Sequence, residues 1–159
     1  MSITEVDGIY CKVNELCLDD NERNQLKAIA NRVPIEFPGV IPDGNFVGEI
    51  TDQLPEWFQI KAEKFLVDGW PMFLKNKGNV PWHIDNFRKC SITIPLNHSN
   101  IPTVFESNVE LYHNGETYLQ NNYAKHKVPP GKVDRYFLQI SFTQSYENIR
   151  HLINNTSIT

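Results

Sequence analysis

His83 and Asp85, in the run Pro81-Trp82-His83-Ile84-Asp85-Asn86, are the first residues of this 159-residue chain whose types and spacing fit a defined chemistry. In an extended strand, residues i and i+2 point to the same side, so one imidazole and one carboxylate can reach a single ion. A second imidazole would complete a two-histidine, one-carboxylate set, which leaves three positions of an octahedral metal open. Nitrogen and oxygen donors without thiolate suit Fe(II), and zinc accepts the same ligands. Taken alone, His-x-Asp is more often the solvated end of a strand than a metal site.

Four further histidines compete for the third position: His98, His113, His126 and His151. His98 lies in the polar stretch NHSN and reads as a loop residue. His113 precedes Asn114-Gly115 at the tip of an expected hairpin, where exposure is the default. His151 follows the last strand, in a tail expected to fray. His126 precedes a turn and a returning strand headed by Arg135, nine residues on, which brings the far end of the β-region back to His83. The Arg135 guanidinium offers a planar fork to a carboxylate and stays charged in a pocket; the plainer reading is a surface strand residue. Arg88 shares strand parity with Cys90, Ile92 and Ile94. An arginine heading an inward apolar face needs an anion, either a cosubstrate or an acidic substrate. A bend at Lys89 would instead leave Arg88 exposed. Trp82 is expected in a β-core, or walling the pocket, and Cys90 as a small buried hydrophobe.

The elements that must position these residues follow from pattern. Asp19 to Arg32 has an acidic start, Leu26, Ile29 and Ala30 at helical spacing, and a basic end, which predicts an amphipathic helix. The Pro- and Gly-rich stretch from Val33 to Asn45 predicts a loop, and Leu54 to Phe65 a second helix with Pro55 in its first turn. From about Val67 short β-prone runs alternate with turn signals, ending in the run Arg135 to Phe142. That spacing predicts an all-β sandwich or jelly roll rather than βαβ units. Asn114-Gly115 predicts a type I′ hairpin turn. The expected organisation is one mainly β domain over 1–159: a helical preface (1–66), a jelly-roll core (67–145) and a C-terminal tail (146–159).

With these residues in order, the stretch from about Val67 to Phe142 resembles the Fe(II)/2-oxoglutarate-dependent oxygenase superfamily. WHIDNFRKCSITIPL and KHKVPPGKVDRYFLQISF are similar to small members related to aspartyl/asparaginyl β-hydroxylases and to phage-encoded hydroxylases. The resemblance implies a double-stranded β-helix (cupin-like jelly roll) in which His83, Asp85 and His126 ligate Fe(II). It implies that Arg135 grips the distal carboxylate of 2-oxoglutarate, with Arg88 a second candidate for the cosubstrate, and that O2 is consumed in hydroxylating a C–H bond. Many members carry a Ser or Thr two residues after the arginine; here that position is Phe137. Ser141 shares Arg135's parity but lies about 20 Å along the strand, so a helper must come from elsewhere, with Ser91, Thr93 and Tyr118 as candidates. The substrate expected is a peptide side chain or a small metabolite, and the loops Val33 to Asn45 and Asn97 to Pro102 could frame its approach. Two other readings carry different chemistry: a cupin-like metal binder without 2-oxoglutarate, and a catalytically silent jelly-roll binding module.

Composition is consistent with this and narrows the partners. Apolar residues make up 40% and charged ones 21%, close to globular averages. The net charge of −4 with scattered Lys and Arg argues against nucleic acid as a partner. No apolar run reaches the roughly 20 residues of a membrane span, and the start MSITEVDGIYCKVNE does not read as a signal peptide. Three cysteines without CxxC pairs fit a reducing cytoplasm, including that of a phage-infected host. Nucleophile elbows, phosphate loops, dinucleotide fingerprints and HExxH motifs are absent from the sequence.

Overall fold

The computed structural model describes residues 4–32, 37–38, 46–49, 53–76, 80–85, 88–131 and 135–153. Two antiparallel sheets face each other, and helices cover the outer side of the larger one. Eight strands span the β-region: β5 (Trp70–Asn76), β6 (Val80–His83), β7 (Cys90–Pro95), β8 (Thr103–Phe105), β9 (Glu110–Leu111), β10 (Tyr118–Asn121), β11 (His126–Val128) and β12 (Arg135–Phe142). The preface adds β1 (Glu5–Val6), β2 (Tyr10–Lys12), β3 (Phe37–Pro38) and β4 (Phe46–Glu49). The larger sheet runs β1-β2-β10-β7-β12-β5-β4-β3 and the smaller β6-β11-β8-β9. The architecture is mainly β and compatible with a jelly roll.

The preface is therefore not only helical. Its strands extend both edges of the larger sheet, β2 pairing with β10 (Leu119↔Cys11) and β4 with β5 (Val47↔Leu74). Two to four residues are too few to display a period of two, so these strands form because an edge is waiting for them. The predicted first helix is α1 (Asp20–Ala30), started by a capping box in which Asp19 and Glu22 satisfy each other's backbone amides. The predicted second helix divides into α2 (Glu56–Lys61) and α3 (Glu63–Leu66), with Pro55 as N-cap and a break at Ala62. The expected frayed tail instead forms α4 (Tyr146–Arg150), capped by Ser145 and anchored by buried Tyr146 and Ile149.

Alternation along β12 divides the interior. Leu138, Ile140 and Phe142 join Ile92 and Ile94 of β7 and Leu26, Phe58, Phe65 and Ile149 of the helices in one apolar core. Gly69, before β5, is required there: a Cβ would lie 2.5 Å from both the Phe65 carbonyl oxygen and Ile140 Cγ2. The other parity of β12, Arg135, Phe137, Gln139 and Ser141, faces the smaller sheet, with Ser91 and Thr93 of β7 and Tyr118 and Gln120 of β10. This inner face is polar yet buried. It is held together by hydrogen bonds from Gln139 Nε2 to Thr93 Oγ1 (3.1 Å) and from Gln120 Nε2 to Asn122 Oδ1 (3.0 Å).

Asn114 and Gly115 both take positive φ (51° and 80°), and Glu116 N donates to the His113 carbonyl at 2.8 Å, as the turn prediction requires. The flanking strands are nevertheless not a hairpin. β9 belongs to the smaller sheet and β10 to the larger, so the turn carries the chain across the sandwich.

Candidate metal centre

Backbone pairing brings the two histidines together. β11 lies between β6 and β8, with His126 opposite His83 on one side and Phe105 on the other. The two imidazole centroids are 4.3 Å apart. Asp85 joins them by a different route from the strand-parity argument. β6 ends at His83, and Asp85 lies in the following loop, tied by its amide to the Asn122 carbonyl at 3.2 Å. Its Oδ1 is 3.1 Å from His83 Nε2 and 3.9 Å from His126 Nε2. Three ligand atoms, one from each residue, fall within 4.8 Å of one another. Bonds of about 2.1 Å at right angles place ligand atoms about 3 Å apart, so a bound cation would draw these three groups closer together.

Second contacts prepare all three groups. His83 Nδ1 lies 2.8 Å from the Pro81 carbonyl and His126 Nδ1 2.7 Å from that of Ala124. A carbonyl only accepts, so each Nδ1 carries a proton and each Nε2 is left as the metal-facing nitrogen. Asp85 Oδ2 accepts from Arg88 Nε at 2.7 Å, leaving Oδ1 toward the imidazoles. Burial pushes the Asp85 carboxyl up, but the hydrogen bond from His83 and the charge and hydrogen bond of Arg88 outweigh it and hold it at about 2. The Asp85 hydrogen bond raises His83, whereas burial lowers His126. A divalent cation among these atoms takes the place of the proton shared by His83 and Asp85. The donor set fits such an ion.

Arg88 reaches the inner face instead of extending the apolar face of β7. Lys89 bends the chain, its amide bonded to the Phe142 carbonyl and its carbonyl to the Asn122 amide. Beyond the bend, Arg88 Nη1 donates to Gln139 Oε1 (2.7 Å) and Ser141 Oγ (3.2 Å). Its fork is thus committed to Asp85 and β12. Neither Gln139, Ser141 nor Asn122 stands out as a site residue in sequence. The signal available was the polar parity Arg135, Gln139, Ser141 within an otherwise apolar strand.

Arg135 is only 4% exposed and lies against the Phe137 ring, its Cζ 4.8 Å from the ring centroid. Its Nη1 makes one long bond to the Ile101 carbonyl (3.4 Å), and its Nε has no hydrogen-bond partner among the described residues. Burial alone lowers its pKa to about 10. A buried cation held this poorly fits an anionic ligand. Of the helper candidates, Ser91 bonds Asn122, Thr93 accepts from Gln139, and Tyr118 packs against Tyr10 and His113.

The remaining histidines fall elsewhere. His98 and His151 are exposed, as expected. His113, expected at an exposed tip, is 7% exposed, because the crossing turn folds it inward against Phe137 and Tyr118. Trp82 is 42% exposed on the outer side of the smaller sheet, under Lys127, and not in the core. His83 takes the inward position of β6, so its neighbour must face out. Asn86 and residues 33–36 and 39–45 of the suggested entrance loop lie outside the described residues.

Comparison with solved structures finds the same fold in other proteins. The viral collagen prolyl hydroxylase vCPH of Paramecium Bursaria Chlorella virus-1, solved as its 2OG complex, aligns with a TM-score of 0.59 at 13% identity, covering 85% of this chain and 95% of that one. The prolyl-4-hydroxylase of Pseudomonas putida aligns at TM-score 0.55 and 14% identity, covering 86% and 92%. The chain has the prolyl hydroxylase fold. HygX of Streptomyces hygroscopicus, solved with nickel and 2-oxoglutarate bound, shares that fold at TM-score 0.55 and 9% identity, over 85% of this chain and 83% of HygX. No protein-family model and no curated protein matches the sequence. At these identities the prolyl hydroxylase fold is what is held in common.

Proposed function

We propose that the protein is an Fe(II)- and 2-oxoglutarate-dependent dioxygenase that hydroxylates a C–H bond of a peptide side chain or small metabolite. The observation that carries this reading is the convergence of two Nε2 atoms and one carboxylate oxygen beside Arg88, which bonds the same inward face of β12 that carries the buried Arg135. In the overall reaction a C–H bond, O2 and 2-oxoglutarate give the alcohol, succinate and CO2. The bound metal and cosubstrate supply the oxidising power.

The chain's own residues hold and orient. His83, Asp85 and His126 take one face of the metal, their donor atoms aimed by Pro81, Ala124 and Arg88. Arg135 receives the distal carboxylate of 2-oxoglutarate. Phe105, at 1% exposure, and Val128, at 5%, keep the space between the sheets dry. Ile84 and Tyr123, 47% and 51% exposed beside the ligand-bearing segments, give an apolar margin for substrate. On this reading β5 to β12 form a double-stranded β-helix and residues 1–159 one domain. The free cysteines support a cytoplasmic setting, and no helix among the described residues is long and apolar enough to cross a membrane.

The test is anaerobic titration with Fe(II) and 2-oxoglutarate, followed by aeration. A visible charge-transfer band and then succinate are expected. Metal binding without band or succinate would establish the cupin-like alternative, and no stoichiometric metal the silent module.

A further inference from the structure

The two carboxylate oxygens of Asp85 have different neighbours. Oδ1 lies 3.1 Å from His83 Nε2 and 3.9 Å from His126 Nε2, on the side of the other two ligand atoms. Oδ2 accepts from Arg88 Nε at 2.7 Å. The guanidinium is not free to follow Oδ2 if that oxygen turns, because its far side is tied to the larger sheet. Nη1 donates to Gln139 Oε1 at 2.7 Å and to Ser141 Oγ at 3.2 Å, both on the inward face of β12. Gln139 is fixed in turn, its Nε2 donating to Thr93 Oγ1 of β7 at 3.1 Å. Gln139, Ser141 and Thr93 are all buried. Buried polar side chains are tolerated while they stay bonded, which makes such a chain rigid. It runs from two neighbouring strands of the larger sheet to one oxygen of one ligand.

We infer that Arg88 is a positioning residue that keeps Asp85 a one-oxygen ligand, and so keeps a place on the metal open for O2. This rests on the function proposed above and deepens it. A carboxylate can bind a cation through one oxygen or through both. Two imidazoles and one oxygen leave three of six positions free. A chelating 2-oxoglutarate fills two of them, and O2 needs the third. Were Asp85 to bind through both oxygens, its own Oδ2 would take that place. Arg88 opposes this by holding Oδ2 in a charge-assisted hydrogen bond, one of the stronger kinds. A guanidinium present only to balance the Asp85 charge has no need of Gln139 and Ser141. Those bonds fix its position, and with it the direction of Oδ2.

The experiment uses nitric oxide as an O2-sized probe of the open position. It is titrated anaerobically into the Fe(II) protein saturated with 2-oxoglutarate and followed by electron paramagnetic resonance. Arg88→Met keeps the unbranched length and removes the donors. It is expected to bind Fe(II) and 2-oxoglutarate as the parent does, read from the visible charge-transfer band. Nitric oxide is expected to bind it roughly tenfold to a hundredfold more weakly, as release of a hydrogen bond to a charged group implies. Arg88→Lys, which keeps one cationic donor, is expected to recover part of that affinity. Unchanged nitric oxide affinity in Arg88→Met overturns the inference and leaves the proposed function standing. Equal weakening of Fe(II), 2-oxoglutarate and nitric oxide also overturns it, since Arg88 then supports the site as a whole. No band with 2-oxoglutarate in the unmodified protein removes the proposed function and the inference together. Should Arg88→Met fail to fold, a crystal structure of the unmodified Mn(II) form with 2-oxoglutarate decides. One Asp85 oxygen on the metal and the other on Arg88 is expected, and both oxygens on the metal refute the assignment.

Discussion

Arg135→Met is expected to stabilise the ligand-free protein while removing its response to 2-oxoglutarate. Burial lowers the Arg135 pKa from 12.5 to about 10, with no opposing charge among the described residues. At about 1.4 kcal/mol per unit, the buried charge costs about 3 kcal/mol. Against this stand one hydrogen bond of 3.4 Å and a guanidinium over Phe137, the latter contributing about 1 kcal/mol. Methionine keeps the unbranched volume and drops the charge, so the net gain is about 1–2 kcal/mol, within the range seen when buried charges yield to apolar groups. For a chain of this size that raises Tm by about 3–8 °C. Thermal unfolding with and without 2-oxoglutarate is the assay, in the presence of the metal. At a hundred times Kd the ligand adds about 2.7 kcal/mol to the unmodified protein and should add almost nothing to the variant. A variant less stable than its parent without ligand would mean that Arg135 has a partner of its own. An undiminished ligand-induced shift would mean that it does not hold the carboxylate.

Three other outcomes follow from the geometry. His126→Ala or Asp85→Asn should abolish stoichiometric Fe(II) binding in elemental analysis of reconstituted protein; full occupancy in either would remove that residue from the ligand set. His113 is held neutral by burial and by the charge of Arg135, at about 3 against an ordinary 6.5. The unfolded chain takes up its proton first, so His113's share of stability is intact above pH 6.5 and lost as pH falls toward 3, by about 1.4 kcal/mol per unit. Urea unfolding from pH 7 to pH 5 should therefore fall less steeply in ligand-free His113→Phe than in the parent, and parallel curves would contradict this. Gly69→Ala should cost about 1–3 kcal/mol by overpacking, because the new methyl meets the backbone oxygen of Phe65 and not only movable side chains; an unchanged Tm would show that the turn can yield.

The strand region was legible where strands were long. The run Arg135 to Phe142 shows its period of two over eight residues, and its head is where Arg135 was expected. His83, Asp85 and His126 also meet, although Asp85 gets there through a loop pinned by Asn122 and not through strand parity. The strands of the preface were invisible because their stability lies in the partner edge, not in their own residues. His113 was misjudged because a turn's local geometry is the same whether it closes a hairpin or carries the chain between sheets. Arg88 illustrates a related limit: one bend at Lys89 decides which face a side chain serves, and no pattern of residue types encodes it. The tail reads as frayed in sequence, yet Ser145 caps α4 by accepting from the Asn148 amide.

The two sheets contribute unequally to the centre. The smaller sheet supplies both imidazoles from strands of three and four residues, while the larger supplies the guanidinium from a strand of eight. On the proposed function, a cosubstrate held at both ends would work as a clasp across the seam of the sandwich. Its departure should unfasten the thinner sheet first, so amide exchange in β6 and β11 becomes a clock for the catalytic cycle, running fast when the site has released its product and slow when it is charged.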